Sequence, residues 1–286
     1  MRMIKQKSKE LLRRIFPLSL RMQLCLLINR QKWLSPDDQY WWTMELLRDF
    51  AIKDTSNYHR FLWANHLAYA ESYQTEKRFG EENMKESRKM FFSDLKKHIV
   101  NLGIDPYTGI HSVLEVGCSL GYQLHYLETN LFKKALELDG IDIDGLAITE
   151  GSGHLKLLGS KVKLICEDMG NLHLFLKDRI YDIIICTGVL MYLEKAEAVH
   201  VVEEMLKHCR IMLALSGPAD PASDNCNLQH SLVRKHDGSF IHNYDAFVKE
   251  SGGSVIGRRW EGDRVIDGHT IYFVFSGKDL SRTAAG

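Results

Sequence analysis

The segment that most constrains the fold of this chain is residues 113–127, with the sequence VLEVGCSLGYQLHYL. Its apolar run ends at Gly117 and predicts a buried parallel strand. Gly117, Ser119 and Gly121 then predict a tight turn, and the amphipathic residues 122–127 predict a helix. Glycines in such a turn let the backbone approach a ligand, and the first N–H groups of the helix face that ligand. The segment therefore predicts a site for a nucleotide-like cofactor.

The spacing of the small residues argues against a dinucleotide fingerprint, because the third glycine of G-x-G-x-x-G is replaced by Tyr122. The residues Glu115, Gly117, Ser119 and Gly121 resemble instead the E/D-x-G-x-G-x-G turn of the class I S-adenosylmethionine-dependent methyltransferases. Ser119 stands where that family has its middle glycine. The resemblance implies that these four residues bind S-adenosylmethionine. A glycine-rich turn of any other α/β protein looks similar, so the remaining segments have to support this interpretation.

Asp142 ends a short apolar strand about twenty residues after the glycine turn, where a doubly wound fold places a carboxylate against ribose hydroxyls. The resemblance implies this ribose-binding role for Asp142. The alternative is that Asp142 only ends the strand. We expect Asp144, which precedes an apolar helical stretch, to cap the next helix.

Two further segments match the same family in the same order. Asp168 and Met169 follow the alternating strand 162–166 and resemble the family's adenine-binding acid and the side chain that packs on the adenine ring. The stretch 181–193 resembles the family's fourth segment, and the resemblance places Thr187 among the residues around the cofactor. Four segments in order are a stronger signal than the turn alone.

The alternation of strand and helix patterns predicts an α/β fold. We expect a doubly wound, mostly parallel seven-stranded sheet with a closing antiparallel strand pair, preceded by a helical N-terminal section. The predicted domains are a helical section at 1–105, a cofactor-binding methyltransferase domain at 106–277 and a tail at 278–286. Predicted helices cover 35–50, 56–79, 81–102, 195–208 and 243–250, and the closing strands cover 254–260 and 270–276, with a turn-rich stretch between them.

Charge is distributed unevenly along a chain that is neutral overall. Residues 1–32 contain nine basic residues and one acid, so this segment carries +8 and the remainder carries −8. Its longest apolar run is too short to span a bilayer, and arginines and Pro17 interrupt any signal-peptide pattern. The segment is either an interfacial helix attracted to anionic lipid, which predicts peripheral membrane contact, or a helix that packs on the core.

The six cysteines are scattered without a C-x-x-C pair. This distribution predicts a reduced, cytoplasmic protein without a metal site.

Polar residues after the sheet's carboxyl edge are the candidates for the methyl acceptor site. His242 stands at the start of a predicted helix after a loop, and we expect it to be exposed as a catalytic base. His230 and Arg234 are candidate substrate-binding residues, Arg234 for an acidic group on the acceptor. Tyr69 and Tyr73 belong to an aromatic helix face that lines a substrate pocket or forms core.

Several acceptor classes are disfavoured by the sequence. Strand 181–186 is not followed by the N/D-P-P-Y/F sequence of enzymes that methylate amino groups of nucleic-acid bases, and an acidic body disfavours a nucleic-acid partner. The stretch 234–243 loosely resembles bacterial methyltransferases of glycans. We therefore expect methylation of a hydroxyl on a sugar, a glycan or another polar small molecule. An amine N-methyltransferase and a non-catalytic cofactor-binding scaffold remain alternatives, and a homodimer remains open.

Overall fold

The computed structural model describes residues 15–31, 33–67, 75–80, 83–234 and 237–278. The chain divides into two units, residues up to 73 and residues from 74 onward. The helix Glu86–Asn101, which we assigned to the N-terminal section ending at 105, packs into the core of the second unit through Phe91, Phe92 and Leu95. Among the described residues, no helix is both long enough and apolar enough to cross a bilayer.

The first unit consists of helices α1 (Leu18–Asn29), α2 (Pro36–Lys53) and α3 (Thr55–Ala64). The start of α2 is as predicted, because the Ser35 hydroxyl accepts from the Asp38 amide at 3.1 Å. The prediction of a single helix over residues 56–79 is wrong. Helix α3 ends at Ala64, and His66 takes a left-handed conformation with φ 55°. No glycine or proline marks this break, so the sequence pattern gave no signal for it.

The second unit begins with helices α4 (Thr75–Phe79) and α5 (Glu86–Asn101). Its sheet contains strands β1 (Ser112–Val116), β2 (Glu137–Asp142), β3 (Lys163–Cys166), β4 (Tyr181–Thr187), β5 (Cys209–Gly217), β8 (Gly253–Ile266) and β9 (His269–Lys278). A short hairpin of β6 (Leu232–Val233) and β7 (Phe240–Ile241) forms a separate two-stranded sheet. The seven-stranded order is β3-β2-β1-β4-β5-β9-β8, in which β9 runs antiparallel to both of its neighbours.

Helices cover both faces of this sheet. They are α6 (Tyr122–Tyr126, continued by a π-helical turn to Leu131), α7 (Gly145–Leu157), α8 (Leu172–Leu176), α9 (Lys195–Lys207) and α10 (Tyr244–Glu250). Alternate residues of the strands point to opposite faces, so Val113 and Ile183 join the core beside α5, α6 and α7. Leu114 and Ile184 join the core beside α8, α9 and α10. The predicted doubly wound fold is confirmed.

The closing strand pair is longer than predicted. The stretch 261–269 is not a loop, because β8 continues to Ile266 and the chain reverses only at Asp267 and Gly268. An irregularity in the pairing between Glu261 and Ile266 accommodates the turn-forming residues inside the strand.

Strand order reverses between β1 and β4, which are neighbours although β2 and β3 lie between them in sequence. The loops that follow these two strands leave the sheet at the same carboxyl edge. Ligands of open α/β sheets bind in the crevice at such a switch point.

Candidate active site

The turn after β1 is built from residues in unusual backbone conformations. Gly117 and Gly121 have φ values of 79° and 77°, in the left-handed region. A Cβ atom on Gly117 would lie 2.1 Å from a methyl carbon of Val189, in the segment after β4, so the close approach of these two segments requires glycine. Ser119 also has a positive φ of 50°. Its amide donates to Asp142 Oδ2 at 2.8 Å, which stabilises the turn without a middle glycine.

Glu115 lies at the base of this turn and is only 1% exposed. Its Oε1 accepts from Gln123 Nε2 at 2.7 Å, and the same nitrogen donates to Thr187 Oγ1 at 3.0 Å. The other oxygen, Oε2, is buried and has no hydrogen-bond partner in the described part of the chain. Burial, and then the negative charge of Asp142, raise the pKa of Glu115 well above its usual range, while Arg88 opposes this shift. An unpartnered buried carboxylate oxygen is costly and fits a ligand that supplies a donor or a positive charge.

Asp142, at the end of β2, holds two loops together. Its Oδ2 binds the Ser119 amide, and its Oδ1 accepts from the Asp144 amide at 2.9 Å. Burial raises the pKa of Asp142, and these backbone donors partly oppose the rise. Each carboxylate oxygen retains a second lone pair, so the group can still accept from ligand hydroxyls. Asp144 caps α7 as predicted, accepting from the amides of Leu146 and Ala147 at 3.0 and 3.1 Å.

Asp168 and Met169 follow β3, which pairs with β2. Asp168 is half-buried, and its Oδ1 accepts from the Gly170 amide at 2.8 Å and so caps a single 3-10 turn. Met169 is half-buried and packs against the core on the α8 side of the sheet. Their roles at the adenine ring stay predictions.

His242 is not exposed, and the expectation that it faces the acceptor is wrong. Its side chain is 1% exposed, with Nε2 at 3.2 Å from the Leu190 carbonyl oxygen and 3.1 Å from that of Leu193. Because carbonyls only accept, Nε2 carries the proton, and Ser231 Oγ donates to Nδ1 at 2.7 Å. Burial lowers the pKa of His242 to about 4, against the opposing effect of the two carbonyls. The ring therefore joins the segment after β4 to the β6–β7 region instead of acting as a base.

The other predicted acceptor residues lie in different surroundings. His230 is exposed and lines a cavity of about 260 Å³. Arg234 is half-buried, and its charge is already paired, since Nη1 lies 3.2 Å from Asp237 Oδ2 and donates to Ser239 Oγ at 3.3 Å. Tyr69 and Tyr73 lie outside the described residues.

Two residues beside the glycine turn were not predicted from the sequence. Gln123 holds Glu115 and Thr187 together, and it stands two positions after Gly121 as a buried polar residue on an otherwise apolar helix face. A polar residue at this position was the signal from which the role of Gln123 could have been predicted. Arg88 reaches the turn from α5, and nothing in its local sequence pattern indicates this.

All six cysteines are free thiols. Among the described residues, no group of three or more histidine, cysteine, aspartate and glutamate side chains could hold a metal ion.

The residues at the switch point fit S-adenosylmethionine. This molecule combines an adenosine, whose ribose carries two hydroxyls, with an amino-acid end that carries an ammonium group. The orphaned Glu115 oxygen suits the positive group, Asp142 suits the hydroxyls, and the turn at Gly117 lets the backbone approach closely. When bound, the cofactor supplies an electrophilic methyl group, and these residues hold it in place.

Comparison with known proteins agrees with this geometry. Residues 113–211 match the family model described as "Methyltransferase domain". No curated protein matches the chain. An S-adenosylmethionine-dependent methyltransferase from Clostridium acetobutylicum ATCC 824 is similar in structure, with a TM-score of 0.50 and 11% identity over 71% of this chain and 96% of that one.

Two further solved structures share the fold. The magnesium protoporphyrin IX methyltransferase of Synechocystis PCC 6803 with bound S-adenosylhomocysteine has a TM-score of 0.50 and 15% identity, over 82% of this chain and 98% of that one. The [4+2]-cyclase SpnF has a TM-score of 0.51 and 13% identity, over 64% of this chain and 80% of that one. At these identities the likeness establishes the fold.

The match to the family model extends from β1 to the start of β5 and includes the glycine turn and the predicted cofactor positions from Glu115 to Thr187. Residues 113–211 of the second unit thus match a methyltransferase domain, and the fold is that of solved S-adenosylmethionine-dependent methyltransferases.

Proposed function

We propose that the protein transfers the methyl group of S-adenosylmethionine to a hydroxyl of a sugar, a glycan or another polar small molecule. The observation that carries this proposal is the cavity of about 260 Å³ beside His230. Its lining is dominated by hydrogen-bonding side chains, namely Lys195, Gln229, His230, Ser231, Asn243 and Glu250. Such a lining suits a polyhydroxylated molecule better than an apolar ring.

The cavity is formed by segments that follow the carboxyl ends of β4 and β5. Lys195 begins α9 after β4, whereas Gln229 to Ser231 belong to the long connection after β5. Because parallel strands end at the same edge of the sheet, both segments start on the side that carries the glycine turn. This common edge supports the cavity as the acceptor site.

Methyl transfer depends mainly on alignment of the methyl group with a lone pair of the acceptor. A hydroxyl acceptor also needs a base, whereas an uncharged amine does not. With His242 buried, His230 is the exposed histidine that lines the cavity, so we assign it the role of base. Histidine is the side chain that enzymes use most often for this task.

The test is release of S-adenosylhomocysteine by the purified protein with a panel of sugar nucleotides, glycans and small amines. Release with a hydroxyl acceptor should fall by about 10²- to 10⁴-fold in His230→Ala. His200→Ala, which removes an exposed histidine on α9, is the matched control and should retain activity. Release with amines alone would refute the hydroxyl proposal. Cofactor binding without any release would favour the scaffold alternative.

We also propose peripheral membrane contact through the N-terminal segment. Helix α1 exposes Leu20 and Leu27, which are two turns apart on one face, and Trp33 beyond its end is 78% exposed. The net charge of +8 in residues 1–32 complements an anionic lipid surface. The protein should sediment with anionic vesicles, and a smaller fraction of the variants Trp33→Ser and Leu27→Ser should sediment with them. Equal recovery in the pellet and in a vesicle-free control would refute the proposal.

A further inference from the structure

The amino edge of the sheet, at which strands β1 to β4 begin, carries exposed apolar side chains. Because these four strands are parallel, each connection between them brings the chain back to this edge, opposite the glycine turn. Leu136 precedes β2 and is 78% exposed, and Leu157 ends α7 before β3 and is 85% exposed. With these two, the amino-edge patch consists of Val100, Leu102, Tyr107, Leu158 and Ile180, which are also exposed.

Hydrogen bonds between the connections show that this patch is continuous. Lys161 Nζ, before β3, donates to the Ala135 carbonyl oxygen, before β2, at 3.3 Å. The Leu136 amide donates to the His111 carbonyl oxygen at 2.8 Å, and the His111 amide donates to Asp182 Oδ2 on β4 at 2.8 Å. The connections that lead into β3, β2, β1 and β4 therefore lie side by side, in the order of the strands in the sheet.

Basic residues surround the amino-edge patch. The stretches 132–137, 155–163 and 176–180 contain seven basic residues and two acids, although the chain after residue 32 carries a net charge of −8. Arg179 is paired with Asp139 at 3.2 Å. Five exposed lysines of these stretches form no ion pair within 4 Å with a carboxylate of the described residues, namely Lys133, Lys134, Lys156, Lys163 and Lys177. This edge is therefore a local positive surface on an acidic body.

Exposed aliphatic side chains among unpaired lysines are typical of a surface that binds anionic lipid. Leucine and isoleucine enter the boundary between headgroups and acyl chains. Lysine stems lie along apolar surface while their ammonium groups reach the lipid phosphates. A second copy of this chain is a poorer partner, because a two-fold contact through the patch would place lysines against lysines.

We propose that the amino-edge patch is a docking surface for a bilayer that contains anionic lipid. This contact is additional to that of the N-terminal segment, and it does not depend on the identity of the methyl acceptor. Helix α7 joins the two edges of the sheet and is about 20 Å long at 1.5 Å per residue. The glycine turn therefore lies at the end of the sheet away from the bilayer, where the site is open to water.

The test is sedimentation of the full-length protein with vesicles of phosphatidylcholine alone and of phosphatidylcholine mixed with phosphatidylglycerol. Leu157→Ser removes an apolar side chain of the patch, and Lys133→Gln/Lys134→Gln removes two of its charges. Both changes are also made in the Trp33→Ser background, in which the contact of the N-terminal segment is weakened. Thermal melting of each variant checks its folding.

Matched controls change the opposite edge of the same unit. Val265→Ser removes a side chain that is 68% exposed near the tip of the β8–β9 hairpin. Lys85→Gln/Lys89→Gln removes two exposed charges at the start of α5, which the bond from the Ser87 amide to Asp267 holds at this hairpin tip.

We expect the wild type to sediment with the anionic vesicles and not with the neutral ones. Its partition coefficient should fall by about 5- to 10-fold in Leu157→Ser and by about 10- to 30-fold in Lys133→Gln/Lys134→Gln. The same factors should apply in the Trp33→Ser background, and both controls should bind as the wild type does.

Unchanged partitioning of both amino-edge variants, or an equal loss in their controls, overturns the inference and leaves the N-terminal contact and methyl transfer unaffected. Absence of any binding by the wild type overturns both lipid contacts and still leaves methyl transfer unaffected. A single-stranded oligonucleotide is the competing probe. If the lysine variant loses binding to it and keeps its binding to vesicles, the patch binds nucleic acid and the lipid inference is wrong.

Discussion

Gln123 Nε2 donates to Glu115 Oε1 at 2.7 Å, so one oxygen of the buried carboxylate is held and the other is left for a ligand. The same nitrogen donates to Thr187 Oγ1 at the end of β4. One amide thus couples the two strands at which the strand order reverses. The carboxylate cannot turn away from the site without losing this bond, and the site is shaped before any ligand arrives.

The first prediction concerns the proton on Glu115. Its pKa is raised by burial and by Asp142 in the free protein, and a positively charged group bound at Oε2 favours the ionised carboxylate. Cofactor binding should therefore lower the pKa of Glu115 and release protons. Affinity for S-adenosylmethionine should increase with pH until pH exceeds the pKa of the free protein. Titration calorimetry in buffers of different ionisation enthalpy measures the released protons.

Glu115→Gln is the control for this prediction, because glutamine cannot release a proton and carries no charge. Its affinity for S-adenosylmethionine should be about 10- to 100-fold lower and should no longer depend on pH in the same range. Proton uptake on binding by the wild type, or identical pH dependence in both proteins, would contradict the prediction.

The second prediction uses two glycines of α7. A Cβ atom on Gly151 would lie 2.3 Å from the Leu120 carbonyl oxygen in the glycine turn, whereas nothing lies within 4 Å of one on Gly153. Gly151→Ala should therefore lower the free energy of unfolding by about 1–3 kcal/mol and weaken cofactor binding, since the turn must shift. Gly153→Ala should raise it by roughly 0.5–1 kcal/mol, because alanine favours the helix. Urea denaturation would measure the free energy of unfolding of the two variants, and titration would measure their affinity for the cofactor. A loss of stability in Gly153→Ala as well as in Gly151→Ala would contradict this interpretation of the turn.

The third prediction follows from the buried ring of His242. Its folded-state pKa of about 4 lies below the ordinary value of 6.5, so below pH 6.5 the unfolded chain binds the proton that the folded chain excludes. This residue's contribution to stability should be fully present above pH 6.5 and should be lost as the pH falls toward 4. Urea denaturation at a series of pH values would measure the free energy of unfolding.

His242→Gln keeps a donor for the two carbonyls but has no acceptor at the position of Nδ1, which accepts from Ser231. At pH 7 it should be less stable than the wild type by about 1–3 kcal/mol, and the difference should shrink as the pH falls toward 4. A variant with wild-type stability at neutral pH but a large loss of turnover would instead restore His242 as a base.

The fourth prediction concerns the tip of the β8–β9 hairpin. Asp267 accepts from the Ser87 amide at the start of α5 and has a left-handed φ of 53°. Asp267→Ala should lower the free energy of unfolding by about 1–2 kcal/mol, because it removes this acceptor and places alanine in a strained conformation. Asp267→Asn retains both features and should be close to the wild type. Chemical denaturation would measure the free energy of unfolding of the two variants. Equal stability of Asp267→Ala and Asp267→Asn would show that the bond from the Ser87 amide to Asp267 does not stabilise the helix.

The strands around the cofactor site could be predicted because their signals are local. Strands β1 and β4 are apolar runs that end at small residues or turns, and the structure shifts their bounds by only one residue. The sequence signal for the helix cap at Asp144 was equally local. The start of α2 was predictable for the same reason, because Ser35 and a proline mark it.

The errors arose where distant contacts decide the conformation. His242 immediately precedes a helix, which suggests exposure, but the carbonyls of Leu190 and Leu193 draw its ring inward from about fifty positions away. The position of Arg88 depends on the β8–β9 hairpin, because its neighbour Ser87 donates to Asp267, 180 positions further along the chain. Periodicity within one segment carries no information about such partners.

The bond between Ser87 and Asp267 joins residues 180 positions apart. During translation, the strands that carry Glu115, Asp142 and Thr187 leave the ribosome well before the hairpin tip that fixes the start of α5. A nascent chain can therefore assemble the parallel part of the sheet early, but Arg88 gains its anchor only after the β8–β9 hairpin has been synthesised. A product that terminates prematurely after β5 would keep the glycine turn and would lack the element that holds Arg88 against it.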